Sequence, residues 1–513
     1  MAAMNRRQFL IRGGASLAGA VVASSFADSL RAATRAGSMP HRTTAIPHHP
    51  ATGPGFPGGL LDELSAIVAD LETKFPYASA LFIATGGVSI SRDRKGKRVS
   101  EAGTPTLGAS IRIFDGGAFH ETAVGSTSPQ ALHAAAAALK RSVPRAADRY
   151  RIERLPQLQQ TWHTAMERDP AALPLKDRAA LLDQEFDRCN WDDPRVRGVR
   201  VSTDVTETQR VFVDRTRRLA SVSTMVAHTG FMFGFDKGKP GFGFRRHVGQ
   251  AGLELAHLND TDIEKLRKDF VESLTAEPVP AGEYEVVFAP EVSGLLAHES
   301  FGHGVEMDQF VKDRAKSREF LNKPVASKLV TLLDDPSFAG ARGSYAFDDE
   351  GATAQPTTII KDGIFVQPLT DLMSATFLRT SRTPNGRTQS WDRKVYARMS
   401  NTFFARGTSD PQEMLDSLKD GLYLEGFRNG IEDPQGWGIQ FTAGTAREVK
   451  NGKFTGRIFA PPTITGYVPE ILGNITMVGN DFALEPGSCG KGFKEFVAVT
   501  SGGPHLRTKA KVS

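Results

Sequence analysis

A chain of 513 residues, 40% hydrophobic and 24% charged, has the composition of a globular protein with enough material for several cores. The formal charge of +5 is small for this length, and arginines near the amino terminus (Arg6, Arg7, Arg12, Arg31, Arg35, Arg42) supply much of the positive excess, so a nucleic-acid-binding surface is not expected. Two cysteines, Cys189 and Cys489, exclude a disulfide framework but leave a single bridge open if the protein is exported.

Residues 1–33 read as a targeting segment. Met4-Asn5-Arg6-Arg7-Gln8-Phe9-Leu10 is an arginine pair followed by apolar residues, a weakly apolar run extends from Gly13 to Phe26, and Ser25-Phe26-Ala27 offers a cleavage point. This resembles a bacterial twin-arginine export signal, which implies a periplasmic protein that folds before export. Residues 34–59, rich in Pro, Gly, His and Thr, read as a disordered linker. No later apolar run is long enough to span a membrane.

From Leu60 the pattern predicts α+β structure. A small amino-terminal α/β domain is expected over 60–145. Leu60, Leu64, Ile67, Val68 and Leu71 repeat at helical spacing, and a strand follows at 80–84. A hairpin turns at Asp115-Gly116-Gly117, and Ser128-Pro129 opens an alanine-rich helix reaching about Val143. Residues 146–281 form a mixed middle region. It is helical in character to about 190 and strand-like over 197–226. The glycine- and phenylalanine-rich stretch Thr229 to Gly243 reads as a mobile loop, and Asp260 to Leu274 as a helix. Residues 282–513 predict a β-rich carboxy-terminal domain. Tyr284 to Phe288 is a strand, Val292 to Val305 an apolar helix, and hairpins turn at Asp362-Gly363 and Asn451-Gly452.

The chemistry lies in that apolar helix. His298-Glu299-Ser300-Phe301-Gly302-His303 is a His-Glu-x-x-x-His segment, one residue longer than the zinc-protease motif His-Glu-x-x-His. In a regular α-helix a spacing of five leaves the two rings roughly 140° apart, too far round to share a metal. A π-turn, permitted by Gly302 and Gly304, would close the angle. Two unrelated histidines on a core helix would also produce the spacing. Burying them beside a glutamate with no shared role, however, would cost several kcal/mol. Two histidines leave a hydrolytic metal one ligand short. Glu306, Asp308, His228 and Cys489 are the candidates. Cys489, in the glycine-rich segment Glu485 to Gly492 beside Lys491, is open between a ligand thiolate and a small buried thiol.

The segment His298-Glu299-x-x-x-His303-Gly304, with Gly479-Asn480-Asp481 and Gly487-Ser488-Cys489-Gly490-Lys491, resembles the TldD/PmbA metalloprotease family. Gly343-Ser344-Tyr345, Asp348-Asp349-Glu350-Gly351, Asn385-Gly386-Arg387, Met399-Ser400-Asn401-Thr402 and Gly421-Leu422-Tyr423 extend the likeness, which is strong over 282–508. The resemblance implies one Zn2+ per subunit held by His298, His303 and Cys489, with Glu299 as the catalytic glutamate. It also implies a metallopeptidase that takes unfolded or extended peptides into a chamber between subunits, as a homodimer or as a heterodimer with a related subunit. An export signal departs from the family's usual cytoplasmic members. The other expectations are a scaffold whose metal is structural, with Glu306 or Asp308 closing the site, and a metal-dependent amidase or esterase on small substrates. Arg342, Arg387 and Arg398 would either line the site or make structural ion pairs.

Overall fold

The structure, a computed structural model, describes residues 59–102, 106–492 and 495–513. The proposed export signal and the linker up to residue 58 lie outside the described residues.

The amino-terminal half is organised by one eight-stranded sheet. Its order is Phe119–Val124, Thr106–Phe114, Tyr77–Asp93, Val196–Asp214, Arg217–Asp236, Leu158–His163; Gly96–Glu101 pairs with Tyr77–Asp93, and Lys239–Gly249 with Arg217–Asp236. Residues before and after 145 thus share a sheet, and the boundary expected there falls inside it. The register of Tyr77–Asp93 runs unbroken against Val196–Asp214, so alternate residues keep to one face. Ala78, Ala80 and Phe82 meet the helices Leu60–Glu72 and Pro129–Ser142. Ile90, on the same alternation, meets Leu175–Cys189 and Asp260–Thr275. Leu81 and Ile83, on the opposite face, join Phe212 and Leu219 against Ala346 and Phe347 of the carboxy-terminal half. Ion pairs Arg112–Glu350 and Arg210–Asp349 cross the same junction.

Two further expectations fail in this half. Thr229 to Gly243 is not a loop but the arms of a strand hairpin that turns at Lys237-Gly238, both at positive φ. Gly238 makes the turn, while Gly241 and Gly243 admit a helix. A Cβ on Gly243 would lie 2.0 Å from the Leu266 carbonyl oxygen, and one on Gly241 would lie 2.7 Å from Leu274. The stretch 145–190 is α-helical only from Leu175; before it come the strand Leu158–His163 and a short 3-10 turn, Pro170–Ala172.

The carboxy-terminal half is β-rich, as the sequence predicts. A seven-stranded sheet contains Gly282–Phe288, Asp420–Asp433 and Gly438–Lys450, and a six-stranded sheet ends in Asn401–Phe404, Glu495–Gly503 and Ala483–Lys491. The helix Pro290–Phe301 packs against strands of both sheets. Residues Val292 to Phe301 are all buried, as expected of a helix that is apolar around most of its circumference. Val292, Leu295, Leu296 and Phe301 share one core with Phe288, Leu424 and Phe441 of one sheet and Phe404, Val497 and Val499 of the other. Gly294 permits the close approach, since a Cβ there would lie 2.5 Å from the Gly502 amide nitrogen. The hairpins at Asp362-Gly363 and Asn451-Gly452 form, with both turn residues at positive φ.

Candidate metal centre

The helix Pro290–Phe301 starts with proline at its first turn, where a missing N–H costs nothing, and stops at Gly302. A short 3-10 turn, His303–Val305, follows. The expected π-turn is therefore replaced by a helix stop followed by a tighter turn. The crowding at Gly302 gives the reason: a Cβ there would meet Met399 Sδ at 2.0 Å and the His298 carbonyl oxygen at 2.3 Å. Only glycine lets the chain change course so close to both. The consequence is that His298 and His303 face one another, with ring centroids 5.0 Å apart and planes at 87°.

The strand Ala483–Lys491 brings in the third group. Cys489 Sγ lies 3.3 Å from His303 Nε2, and ligand atoms of His298, His303 and Cys489 all fall within 4.8 Å of one another. Ligands of one tetrahedral zinc, each roughly 2.0–2.3 Å from the ion, are about 3–4 Å apart, so the set fits such an ion. All three side chains are buried. Burial alone would raise the Cys489 thiol, but the charges of His303 and Arg398 and hydrogen bonds with both histidines hold it well below its ordinary range. Arg398 donates to Sγ at 3.2 Å and to the Cys489 carbonyl oxygen at 2.7 Å. This chemistry favours a thiolate, the form that binds metal.

Glu306 and Asp308 do not turn toward that donor set. Glu306 Oε2 lies 3.1 Å from His303 Nδ1, the nitrogen remote from Cys489. A carboxylate in that position fixes the ring and leaves Nε2 for a metal. Lys491, two residues beyond the cysteine, donates to Glu306 at 2.9 Å, to the Ala397 carbonyl oxygen at 2.9 Å, and to Asp308. Burial opposes ionisation of Glu306, yet Lys491 and His303 outweigh it and bring its pKa to about 2. His228 is elsewhere: it accepts from or donates to Thr203 at 2.8 Å, beside Glu185, in the amino-terminal half. Arg387 and Arg398 are buried and donate to carbonyl oxygens of the surrounding core, and neither they nor Arg342 lines the cleft. Cys189 and Cys489 are both free.

The three residues open onto a cleft of about 440 Å³, walled by Phe427 to Glu432 on one side and Pro486 to Gly490 on the other. Glu299 lies in it. A Cβ on Gly430 would sit 2.4 Å from Glu299 Cγ and 2.5 Å from its Cδ and Oε1, so Gly430 makes the space the carboxylate occupies. Ligand atoms of Glu299, His303 and Glu432 also cluster within 4.8 Å. Burial, together with the nearby Glu299 and Glu306 charges, raises Glu432 to about 7 against the opposing pull of His303. Sequence reading missed Gly430 and Glu432. Both sit in the strand Asp420–Asp433, whose pattern carries no sign of what lies opposite; only the spacing of Gly426 and Gly430 within a strand hinted at a close approach.

Residues 281–512 match the family model of the PmbA/TldA metallopeptidase C-terminal domain. A metalloprotease of Methanocaldococcus jannaschii is 31% identical over 355 residues, 67% of this chain and 76% of that protein. A zinc metalloprotease TldD homolog of Saccharolobus solfataricus is 30% identical over 248 residues, 48% of this chain and 55% of that one. The crystal structure of TldE from Thermococcus kodakarensis superposes with a TM-score of 0.66 at 16% identity, covering 88% of this chain and all of that one (100%), a likeness of fold.

Proposed function

Since this chain belongs to the PmbA/TldD metallopeptidase family, we propose that it hydrolyses peptide bonds of unfolded or extended peptides with one Zn2+ held by His298, His303 and Cys489 and with Glu299 as general base. The observation that carries this reading is the convergence of three buried donors on one point beside an unligated carboxylate in an open cleft. A divalent ion held by His298, His303 and Cys489 would supply Lewis acidity toward a water and the scissile carbonyl. Glu299 takes the proton from the attacking water and passes it to the leaving amine. Glu306 holds His303 in the tautomer that presents Nε2, and Arg398 and Lys491 balance the buried negative charge. Engagement of Glu306 and Asp308 by His303 and Lys491 argues against a closed four-ligand structural site, because it leaves the cleft side to water and substrate.

The cleft also suits an extended chain. Asp420–Asp433 pairs with Gly282–Phe288 only over Gly421 to Leu424, and Ala483–Lys491 is the last strand of its sheet. Both strands line the cleft with an edge that no further strand pairs among the described residues, although on Ala483–Lys491 the Pro486 carbonyl oxygen accepts from Arg246 and the Cys489 carbonyl oxygen from Arg398, so a peptide could add as a strand along the remaining backbone groups with little demand on its sequence. The remaining parts of the proposal are export by the amino-terminal signal to the periplasm, and self-association or pairing with a related subunit. Glu299→Gln tests the chemistry. Metal content should stay the same while the rate of peptide cleavage falls on the order of 10²–10⁴-fold. Full activity in that variant would remove Glu299 from the mechanism.

A further inference from the structure

We propose that Arg428 recognises a carboxylate of the substrate, either the peptide's terminal carboxylate or an aspartate or glutamate side chain, within about two residues of the scissile bond. The inference rests on the peptidase reading and adds to it a preference that a backbone-reading cleft would otherwise lack.

Arg428 lines the same cleft as His298, Glu299, His303 and Cys489, and it is the one lysine or arginine among the described lining residues. Its neighbours in the site are committed: Arg398 to Cys489 and Glu306, Lys491 to Glu306 and Asp308. Arg428, by contrast, has no hydrogen bond or ion pair among the described residues. Its side chain is open to the cleft, yet the surrounding protein lowers its pKa and no neighbouring carboxylate offsets that cost. A substrate carboxylate would supply the missing partner, and a guanidinium can take it in a two-pronged, charge-assisted pair.

The backbone aims the residue there. In the pairing with Gly438–Lys450, Phe427 faces Ala443 and Asn429 faces Thr442, so Arg428 is the extra residue of a β-bulge. Bulges re-aim side chains and collect beside active sites. Two residues further on, Gly430 abuts Glu299. Two residues of extended chain span about 7 Å, which sets the distance along a strand-added peptide between the carboxylate and the bond under attack. Glu299, which lines the same cleft, repels a carboxylate, so the guanidinium of Arg428 is where the cleft can hold one.

The test compares matched peptides on the metal-loaded full chain. One pair differs only in a free or amidated carboxy terminus, the other only in Glu or Gln two residues from the cleaved bond. The wild type should favour the carboxylate member of one pair by about tenfold or more in kcat/KM, mainly through KM, and Arg428→Gln should bring that ratio to within about twofold of unity at unchanged metal content. Arg428→Lys should keep part of the preference. The pair that responds identifies the source of the carboxylate. A wild type with no preference in either pair, or an Arg428→Gln variant that retains the ratio, overturns the proposal. Affinities for the same peptides, measured on Glu299→Gln protein with and without Arg428→Gln, separate the two readings. Carboxylate-dependent binding without cleavage by the wild type keeps the recognition and refutes the hydrolysis. Cleavage without carboxylate dependence does the reverse, and neither binding nor cleavage overturns both.

Discussion

Gly430→Ala isolates the placement of Glu299 from its chemistry. The added Cβ would lie 2.4 Å from Glu299 Cγ and 2.5 Å from Cδ and Oε1, while ordinary contact begins near 3.4 Å, so the carboxylate has to retreat by about 1 Å. The three nearest atoms all belong to that one flexible side chain, and Gly430 is not at positive φ, so neither the backbone nor the core resists the alanine. Folding stability should be unchanged or rise by up to about 1 kcal/mol, because alanine restricts the unfolded chain. A catalytic group misplaced by about 1 Å costs on the order of 10²-fold in rate. The variant should therefore bind metal and melt like the wild type, yet cleave an unstructured peptide about 100-fold more slowly, with the loss in kcat. The assay is steady-state kinetics beside elemental analysis and thermal denaturation. Wild-type kcat would show that Glu299 need not stand where the structure puts it, and loss of metal or fold would show that the contact is structural.

Two further outcomes test the surroundings. Lys491→Met leaves Glu306 and Asp308 buried without their shared cation and should destabilise the fold by about 3–5 kcal/mol in chemical denaturation, more than any loss of an exposed ion pair would. In the amino-terminal half, burial opposes ionisation of Glu185, but His228, the Leu258 N–H and His257 outweigh it and lower its pKa from 4.5 to about 2. That stabilisation is complete above about pH 4.5 and is lost as the pH falls toward 2. The melting temperature of Glu185→Gln should lie below the wild type at pH 7, and the gap should shrink by about half at pH 3 and close only toward pH 2; a gap independent of pH would refute the assignment.

Much of this was legible because it is local. The helix around His298, the strand hairpins at Asp362-Gly363 and Asn451-Gly452, and the pairing of Glu299 with two nearby histidines are all set within a dozen residues, where period and turn chemistry act directly. The errors share a cause as well. The glycines of 229–243 suggest a loop, but Gly241 and Gly243 serve the packing of Asp260–Thr275, which their own segment cannot reveal. The five-residue histidine spacing called for a distortion, and Gly302 marked its place. Its form, a helix stop before a 3-10 turn, follows from Met399, a residue on a distant segment.

By itself the sequence determined that His298, Glu299 and His303 belong to one buried helical segment, because a helix and its break are encoded in neighbouring residues. The tertiary structure alone decided which further residues meet them. Cys489 arrives from 186 residues away on a strand of the six-stranded sheet, Gly430 and Glu432 from a strand of the seven-stranded sheet, and the turn of Arg428 into the cleft depends on the register of that strand against its neighbour. Such contacts are fixed by how two sheets close on one helix, and a linear pattern of side chains carries no record of that closure.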